Sequence, residues 1–263
     1  MNYIDIAIKA AKEAGQEILK IYNQEYEIKF KENEPLTEAD LISNEIIIKN
    51  LEKTNIPILS EESENHEFSN FFWVIDPIDG THDFINKTDE FSILIGLIKD
   101  GIPILGVVYQ PVGDIIHYAE KGKGSFMIKN NEKTEIKISN NKDITKFKIL
   151  VSRHHLREED KEFINQLKIT NYVKKGSAGL KISDIANGSV ELYFSSTNKI
   201  KIWDTCAAHC ILEEAGGKIT NMDGNNLSYE KGIAHTKGIL ASNGLKHNEI
   251  VQQYNIFTDN FKK

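Results

Sequence analysis

The sequence predicts a mixed α/β protein with an antiparallel sheet in its first half and a mainly parallel sheet in its second. Three patterns carry this expectation. Apolar residues repeat at helical period at the start of the chain; residues 91–139 form a meander of short apolar runs broken by turns; and after Phe147 strand and helix patterns alternate.

Ile4, Ala7, Ile8, Ala11, Ala14, Ile18, Leu19 and Tyr22 lie on one face of an opening amphipathic helix. Residues 26–31 alternate as a short strand. Pro35, Leu36 and Thr37 then lead into a second helix over 38–53, with Thr37 as N-cap and Asp40 three residues on. The apolar runs 56–59 and 71–75 read as strands that deliver carboxylates at their ends. In the meander, runs 91–98, 104–109 and 115–119 are separated by turns at Asp100-Gly101 and Val112-Gly113-Asp114. The second half reads as strand 149–152, helix 158–167, a strand near Tyr172, helix 179–187, strand 190–194 and helix 205–215. Gly216-Gly217 closes that helix, and strands 218–220 and 238–241 follow. The change of rhythm near residue 145 divides the chain into 1–145 and 146–263, two sheet layers and not two independent modules.

The chain has 263 residues, with 32 Lys plus Arg against 39 Asp plus Glu, a net charge of −7. That balance disfavours a polymeric nucleic-acid partner. At 40% hydrophobic and 27% charged residues the composition suits a folded globular protein. No apolar run reaches signal-peptide or membrane-spanning length, so a cytoplasmic protein is expected. Cys206 and Cys210 stand four apart, one helical turn, and read as small buried residues.

The chemistry concentrates in Trp73-Val74-Ile75-Asp76-Pro77-Ile78-Asp79-Gly80-Thr81. An apolar strand stops at Asp76, Pro77 forbids continuation of the ladder, and Asp79-Gly80-Thr81 opens a turn that can start a helix. Two carboxylates so close raise each other's pKa unless a cation neutralises them, and hard oxygen ligands suit Mg²⁺. Read alone, the same residues could be turn and cap residues. Glu61 and Glu62 follow a strand, Asp204 stands between an apolar strand end at Trp203 and a helix, and Asp40 lies in a first helical turn. Each of these also has a plain local reading, as solvated loop, N-cap or capping-box partner.

Taken in order with Pro35-Leu36-Thr37-Glu38-Ala39-Asp40, Leu59-Ser60-Glu61-Glu62-Ser63, Trp203-Asp204-Thr205-Cys206-Ala207-Ala208 and Glu214-Ala215-Gly216-Gly217, that segment resembles a known family over almost the whole chain. The family is that of the lithium-sensitive, magnesium-dependent phosphomonoesterases, which includes inositol monophosphatases, fructose-1,6-bisphosphatases and 3′(2′),5′-bisphosphate nucleotidases. The resemblance implies a layered α-β-α-β-α sandwich of the sugar-phosphatase type and two or three Mg²⁺ ions. Glu61, Asp76 and the Ile78 carbonyl would hold one ion, and Asp76, Asp79 and Asp204 a second. It further implies in-line attack by a metal-activated water, with Thr81 and Asp40 as the catalytic pair, and backbone N–H groups of Gly80 and Thr81 offered to the phosphate.

Within the family the second half is similar to the CysQ-type bisphosphate nucleotidases of sulfur assimilation, through Val151-Ser152-Arg153-His154-His155, Gly179-Leu180-Lys181 and Lys201-Ile202-Trp203-Asp204. By that likeness Gly80, Thr81, Ser152, Arg153, His154, Ser177, Lys181 and Lys201 would bind substrate, adenosine 3′,5′-bisphosphate (PAP). Several cations suit a ligand that leaves a second phosphate to be held. Thr197 occupies the position where inositol monophosphatases usually carry a glutamate, which weakens the inositol reading. Phe194 after Tyr193, and His82-Asp83 after Thr81, depart from the nucleotidase pattern. An inositol or sugar monophosphatase is the alternative. A non-catalytic cation or phosphosugar sensor is the reading from another class, and the intact set of acids argues against it. The sequence leaves monomer and homodimer open.

Overall fold

In the computed structural model, residues 2–24, 27–31, 34–63 and 68–261 are described. Helix α1 (Tyr3–Tyr22) leads to a hairpin of β1 (Ile28–Lys31) and β2 (Glu34–Thr37), and then to α2 (Glu38–Leu51). Tyr26, in the first expected strand, lies outside the described residues. The first large sheet is built from β3 (Ile58–Ser60), β4 (Phe71–Asp79), β5 (Ser92–Lys99), β6 (Ile102–Gln110), β7 (Ile115–Glu120), β8 (Ser125–Lys129) and β9 (Glu132–Glu135), in that order across the sheet. Only β3 and β4 pair in parallel; each later neighbour is antiparallel, as a meander requires. The short helix α3 (Thr81–Ile85) leaves the end of β4.

The second half supplies β10 (Lys148–Ser152), α4 (Glu158–Gln166), β11 (Asn171–Lys175), α5 (Ala178–Ala186), β12 (Leu192–Ser195), α6 (Ile202–Glu214), β13 (Lys218–Thr220), β14 (Ile239–Ser242) and α7 (His247–Phe261). Its sheet runs β11-β10-β12-β14-β13. The parallel pairing joins β10 to β11 and β12, where helices cross between strands; β14 is antiparallel to both its neighbours. The sheet is therefore mixed, with parallel pairing confined to one side of it. Among the described residues no helix is long and apolar enough to cross a membrane.

Strand alternation sorts the core into layers. From β4, Trp73 and Ile75 face α1 and α2, meeting Ala7, Ala11, Ala14, Ile18, Ile47 and Leu51. Phe72 and Val74 face the opposite way, onto α5 and α6, whose far sides meet Tyr193, Ile219 and Ala241 of the second sheet. The outer face of that sheet carries Ile149, Val151, Leu192 and Phe194 against Phe163 of α4 and Tyr254 and Phe257 of α7. The layers are thus α-β-α-β-α.

Helix α6 is buried nearly all round, from Ile202 to Leu212 apart from Asp204, and its backbone presses on the first sheet. Cross-strand partners Gly96 and Gly106 make that approach possible, because a Cβ at either would overlap the Cys206 thiol or the Ala207 carbonyl. Cys206 and Cys210 are buried free thiols in this seam. The seam sets the N-terminus of α6, and with it Asp204, beside the end of β4.

Besides shifts of one or two residues at several element ends, two boundaries that bear on the site differ from expectation. Strand β4 does not end at Asp76: Asp76 pairs with Leu94, the register shifts, and Asp79 pairs with Ser92, so Pro77 sits in a bulge that needs no N–H from it. Helix α6 begins at Ile202, not Thr205, which places Asp204 in its first turn and makes Lys201 the N-cap.

Candidate active site

Four acids approach from three segments: Asp76 and Asp79 from β4, Glu61 from the end of β3 and Asp204 from α6. Asp76 lies at the bulge of β4, 2% exposed, with Oδ1 accepting the Ile78 N–H at 3.0 Å. The Ser43 hydroxyl of α2 donates to the Pro77 carbonyl at 2.8 Å and so pins the bulge. Glu61 follows β3, its N–H bonded to the Ile75 carbonyl at 3.2 Å. Asp204 Oδ2 accepts the Lys201 N–H at 2.8 Å, and Asp79 is gripped by the start of α5.

Their electrostatics point one way. Burial, then the charges of Glu61, Asp79 and Asp204, hold the Asp76 carboxyl well above the usual range. Burial, then Asp204 and Glu62, do the same to Glu61. Burial and then Asp79 push Asp204 up to about 8. Burial also raises Asp79, against the pull of Lys181 and the hydrogen bonds from Ser177, Gly179 and Ala178. Among the described residues no three His, Cys, Asp or Glu side chains form a ready-made metal-binding group. Asp76, Asp79 and Asp204 each lean on a protein donor, and Glu61 meets the Asp76 carboxyl. The donor chemistry nevertheless fits a hard divalent cation: it is all oxygen, desolvated, and negative beyond what neighbouring cations offset.

Asp40 and Thr81 adjoin this cluster. Asp40 Oδ2 accepts both the Thr37 N–H (2.7 Å) and the Thr37 hydroxyl (2.6 Å), while Oδ1 faces the Thr81 hydroxyl at 3.3 Å. The capping box and the contact with Thr81, alternatives in the sequence, therefore coexist on different oxygens of one carboxylate. Thr81 Oγ1 also lies 3.1 Å from the Ile78 carbonyl, so its one proton has two acceptors. Burial is the main reason that Asp40 rises to about 6.

The residues expected to bind substrate fare differently. Gly80, at φ 96, makes the left-handed turn that starts α3. Ser152 accepts the His155 N–H at 3.0 Å. Arg153 does not present a free guanidinium, because its Nε donates to Asp83 at 2.9 Å and another of its nitrogens pairs with Glu90. His154 Nε2 stands 3.1 Å from Asp83. Lys181 is turned into the protein. It is 3% exposed, its ammonium donates to the carbonyls of Lys175, Gly176 and Ser177, and burial lowers its pKa to about 8. Lys201 is half-buried and meets Asp204 through its backbone. Sequence reasoning missed Asp83 and Glu90 as partners of Arg153; the run of acids from Asp76 to Glu90 was the available signal.

Fold and site together define a layered α/β protein with an acidic, desolvated centre where the first sheet meets α5 and α6. The inositol monophosphatase family model matches residues 2–256, and the chain belongs to that family. Family members are generally metal-dependent. The 3′(2′),5′-bisphosphate nucleotidase CysQ of Buchnera aphidicola subsp. Acyrthosiphon pisum is 36% identical over 238 residues, 86% of this chain and 87% of that protein. Among solved structures, an IMPase of Thermotoga maritima superposes with a TM-score of 0.84 at 28% identity, covering 99% of both chains. CysQ from Bacteroides thetaiotaomicron superposes with a TM-score of 0.79 at 28% identity, over 92% of this chain and 97% of that one.

Proposed function

We propose that the protein is a 3′(2′),5′-bisphosphate nucleotidase that hydrolyses PAP to AMP and phosphate. The observation that carries this reading is the 36% identity, along most of the chain, to a relative bearing that name. The acids around Asp76 are its centre. Glu61, Asp76 and the Ile78 carbonyl would hold one Mg²⁺, and Asp76, Asp79 and Asp204 a second, with Asp76 shared. When bound, the ions supply Lewis acidity and offset charge in an in-line displacement at phosphorus. The chain's own part is positioning and proton transfer. Thr81 Oγ1, with its proton toward Asp40, turns a lone pair to the attacking water, and Asp40, raised to about 6, is tuned to take a proton near neutrality. The backbone N–H groups of Gly80 and Thr81 would be offered to the phosphate.

A second reading, an inositol or sugar monophosphatase on the same site, is favoured by the higher structural similarity to the Thermotoga maritima IMPase. Phosphate release from PAP, inositol 1-phosphate and fructose 1,6-bisphosphate separates the two. The proposal expects the highest kcat/KM for PAP; faster turnover of inositol 1-phosphate would give the site to the second reading.

A further inference from the structure

Asp79 comes from the first sheet, yet it is held almost entirely by the start of α5. Its Oδ2 accepts from the Ser177 hydroxyl at 2.6 Å and the Gly179 N–H at 2.7 Å, and its Oδ1 accepts from the Ala178 N–H at 3.1 Å. Ser177 Oγ in turn accepts the Leu180 N–H at 3.0 Å. The opening N–H groups of α5 are thus satisfied, two of them by Asp79, and this helix N-terminus is closed to a substrate phosphate. A carboxylate oxygen offers about two in-plane lone pairs, so Oδ2 is filled and Oδ1 keeps one.

The grip has a cost and a support. Ser177 sits at φ 45, ψ 121, a backbone conformation that residues with a Cβ avoid. Directly beneath, the Lys181 ammonium gathers the carbonyls of Lys175 (3.3 Å), Gly176 (3.1 Å) and Ser177 (2.8 Å) to one point, with the Tyr193 ring 4.9 Å away. One buried cation closing three successive carbonyls fixes the turn in which Ser177 is strained. Neither Ser177, 5% exposed, nor Lys181 has a polar group left over for a ligand in solvent.

We infer that Ser177 and Lys181 are positioning residues for Asp79: Lys181 locks the strained turn, the turn presents the Ser177 hydroxyl and the α5 amides, and these leave one Oδ1 lone pair of Asp79 for a divalent cation. The inference rests on the reading of Asp79 as a cation ligand. It also makes Asp79 the joint between the two halves of the chain, since the residue that meets the ion is oriented by the half expected to select substrate.

The test is Mn²⁺ binding to substrate-free protein, followed through the spectrum of free Mn²⁺, with steady-state KM for PAP at saturating Mn²⁺ measured beside it. Ser177→Ala should weaken Mn²⁺ binding about 10- to 100-fold, as loss of a group that orients a ligand does, and leave KM at the parent value. Ser177→Gly relieves the strained φ but lacks the hydroxyl, so it should match Ser177→Ala in Mn²⁺ affinity while melting no lower; Lys181→Met should weaken Mn²⁺ binding in the same direction. Parent-like Mn²⁺ affinity in both Ser177 variants, with a raised KM, would make Ser177 a substrate contact and overturn the inference. Asp79→Asn separates the two levels: if it binds Mn²⁺ like the parent, the ligand reading itself fails, whereas loss of Mn²⁺ in Asp79→Asn with none in the Ser177 variants sinks the positioning role alone.

Discussion

Two acidic clusters are built around Asp83 and Asp76, carboxylates close in the chain and buried to a similar degree, and they are treated in opposite ways. Asp83, 1% exposed, is answered on both oxygens: Oδ1 by Arg153 Nε at 2.9 Å and the Thr88 hydroxyl at 2.7 Å, Oδ2 by His154 at 3.1 Å. Glu90 takes another side of Arg153 and the Gly176 N–H at 2.9 Å. Around Asp76 the neighbours are carboxylates, and they push one another's pKa upward. The first cluster is neutralised by the protein and ties α3 to the loop after β10. The second is crowded with acids that Lys181 and Lys201 offset only in part, so its carboxyls resist ionising together. Uncompensated, buried charge has no structural use, and its place is where an external cation and a phosphate are handled.

Opposite treatment predicts opposite responses to mutation. Asp76→Asn or Asp204→Asn should lower kcat by orders of magnitude, and in metal-free protein should not lower the melting temperature, because each removes a buried repulsive charge. Asp83→Asn should do the reverse to stability, costing about 3 kcal/mol by leaving Arg153 and His154 half answered. Steady-state kinetics and thermal melts on the same preparations show whether the clusters differ as described; a large loss of metal-free stability in Asp76→Asn would erase the distinction.

Asp40→Asn and Thr81→Ala should each reduce kcat about 10²–10⁴-fold, with the double variant scarcely worse than either single one because the two act as a unit. The amide oxygen of Asp40→Asn can still take the Thr37 N–H, so the α2 cap and the melting temperature should persist. Additive losses in the double variant would separate Asp40 from the chemistry.

Cation binding gives a smaller, thermodynamic readout. Mg²⁺ at 100 times its Kd should stabilise the parent by about 2.7 kcal/mol, an increment lost in Asp76→Asn and kept in Asp83→Asn. The smallest effect concerns a third kind of buried polar group, matched by neutral hydroxyls. His247 lies between the Thr220 and Ser242 hydroxyls, each at 2.9 Å, and burial, aided by Lys218, lowers its pKa to about 4. Between the unfolded value of about 6.5 and that folded value, only the unfolded chain takes up the proton, so stability falls as pH drops through this window, by up to about 1.4 kcal/mol per pH unit. His247→Gln should flatten that part of the acid limb in denaturant titrations; an unchanged slope would show that the imidazole is not its source.

What could be seen in the sequence was what neighbours along the chain decide. Thr37 and Asp40 form their capping box across three residues, and the apolar periods of α1 and the meander follow from local alternation. Pro77 signalled a break, but whether β4 stops or bulges depends on Ser92 being placed to pair with Asp79. The start of α6 was misplaced because Lys201 has no side-chain acceptor to mark an N-cap; Asp204 does that work from within the first turn. The sequence places Lys181 among the cations for substrate and holds no sign that the carbonyls of Lys175, Gly176 and Ser177 converge on it. The grip of Ser177 on Asp79 spans 98 residues and that of Arg153 on Asp83 spans 70, separations that a single sequence does not encode as pattern.

The most direct measurement is phosphate release from PAP by the parent and by Asp76→Asn, each in excess chelator and again after Mg²⁺ is restored. Turnover by the parent that vanishes with chelator and returns with Mg²⁺, and that is absent from Asp76→Asn in both conditions, is the predicted result. Turnover that survives chelation, or an Asp76→Asn enzyme as active as the parent, would contradict the claim that the unneutralised acids around Asp76 are where the chemistry occurs.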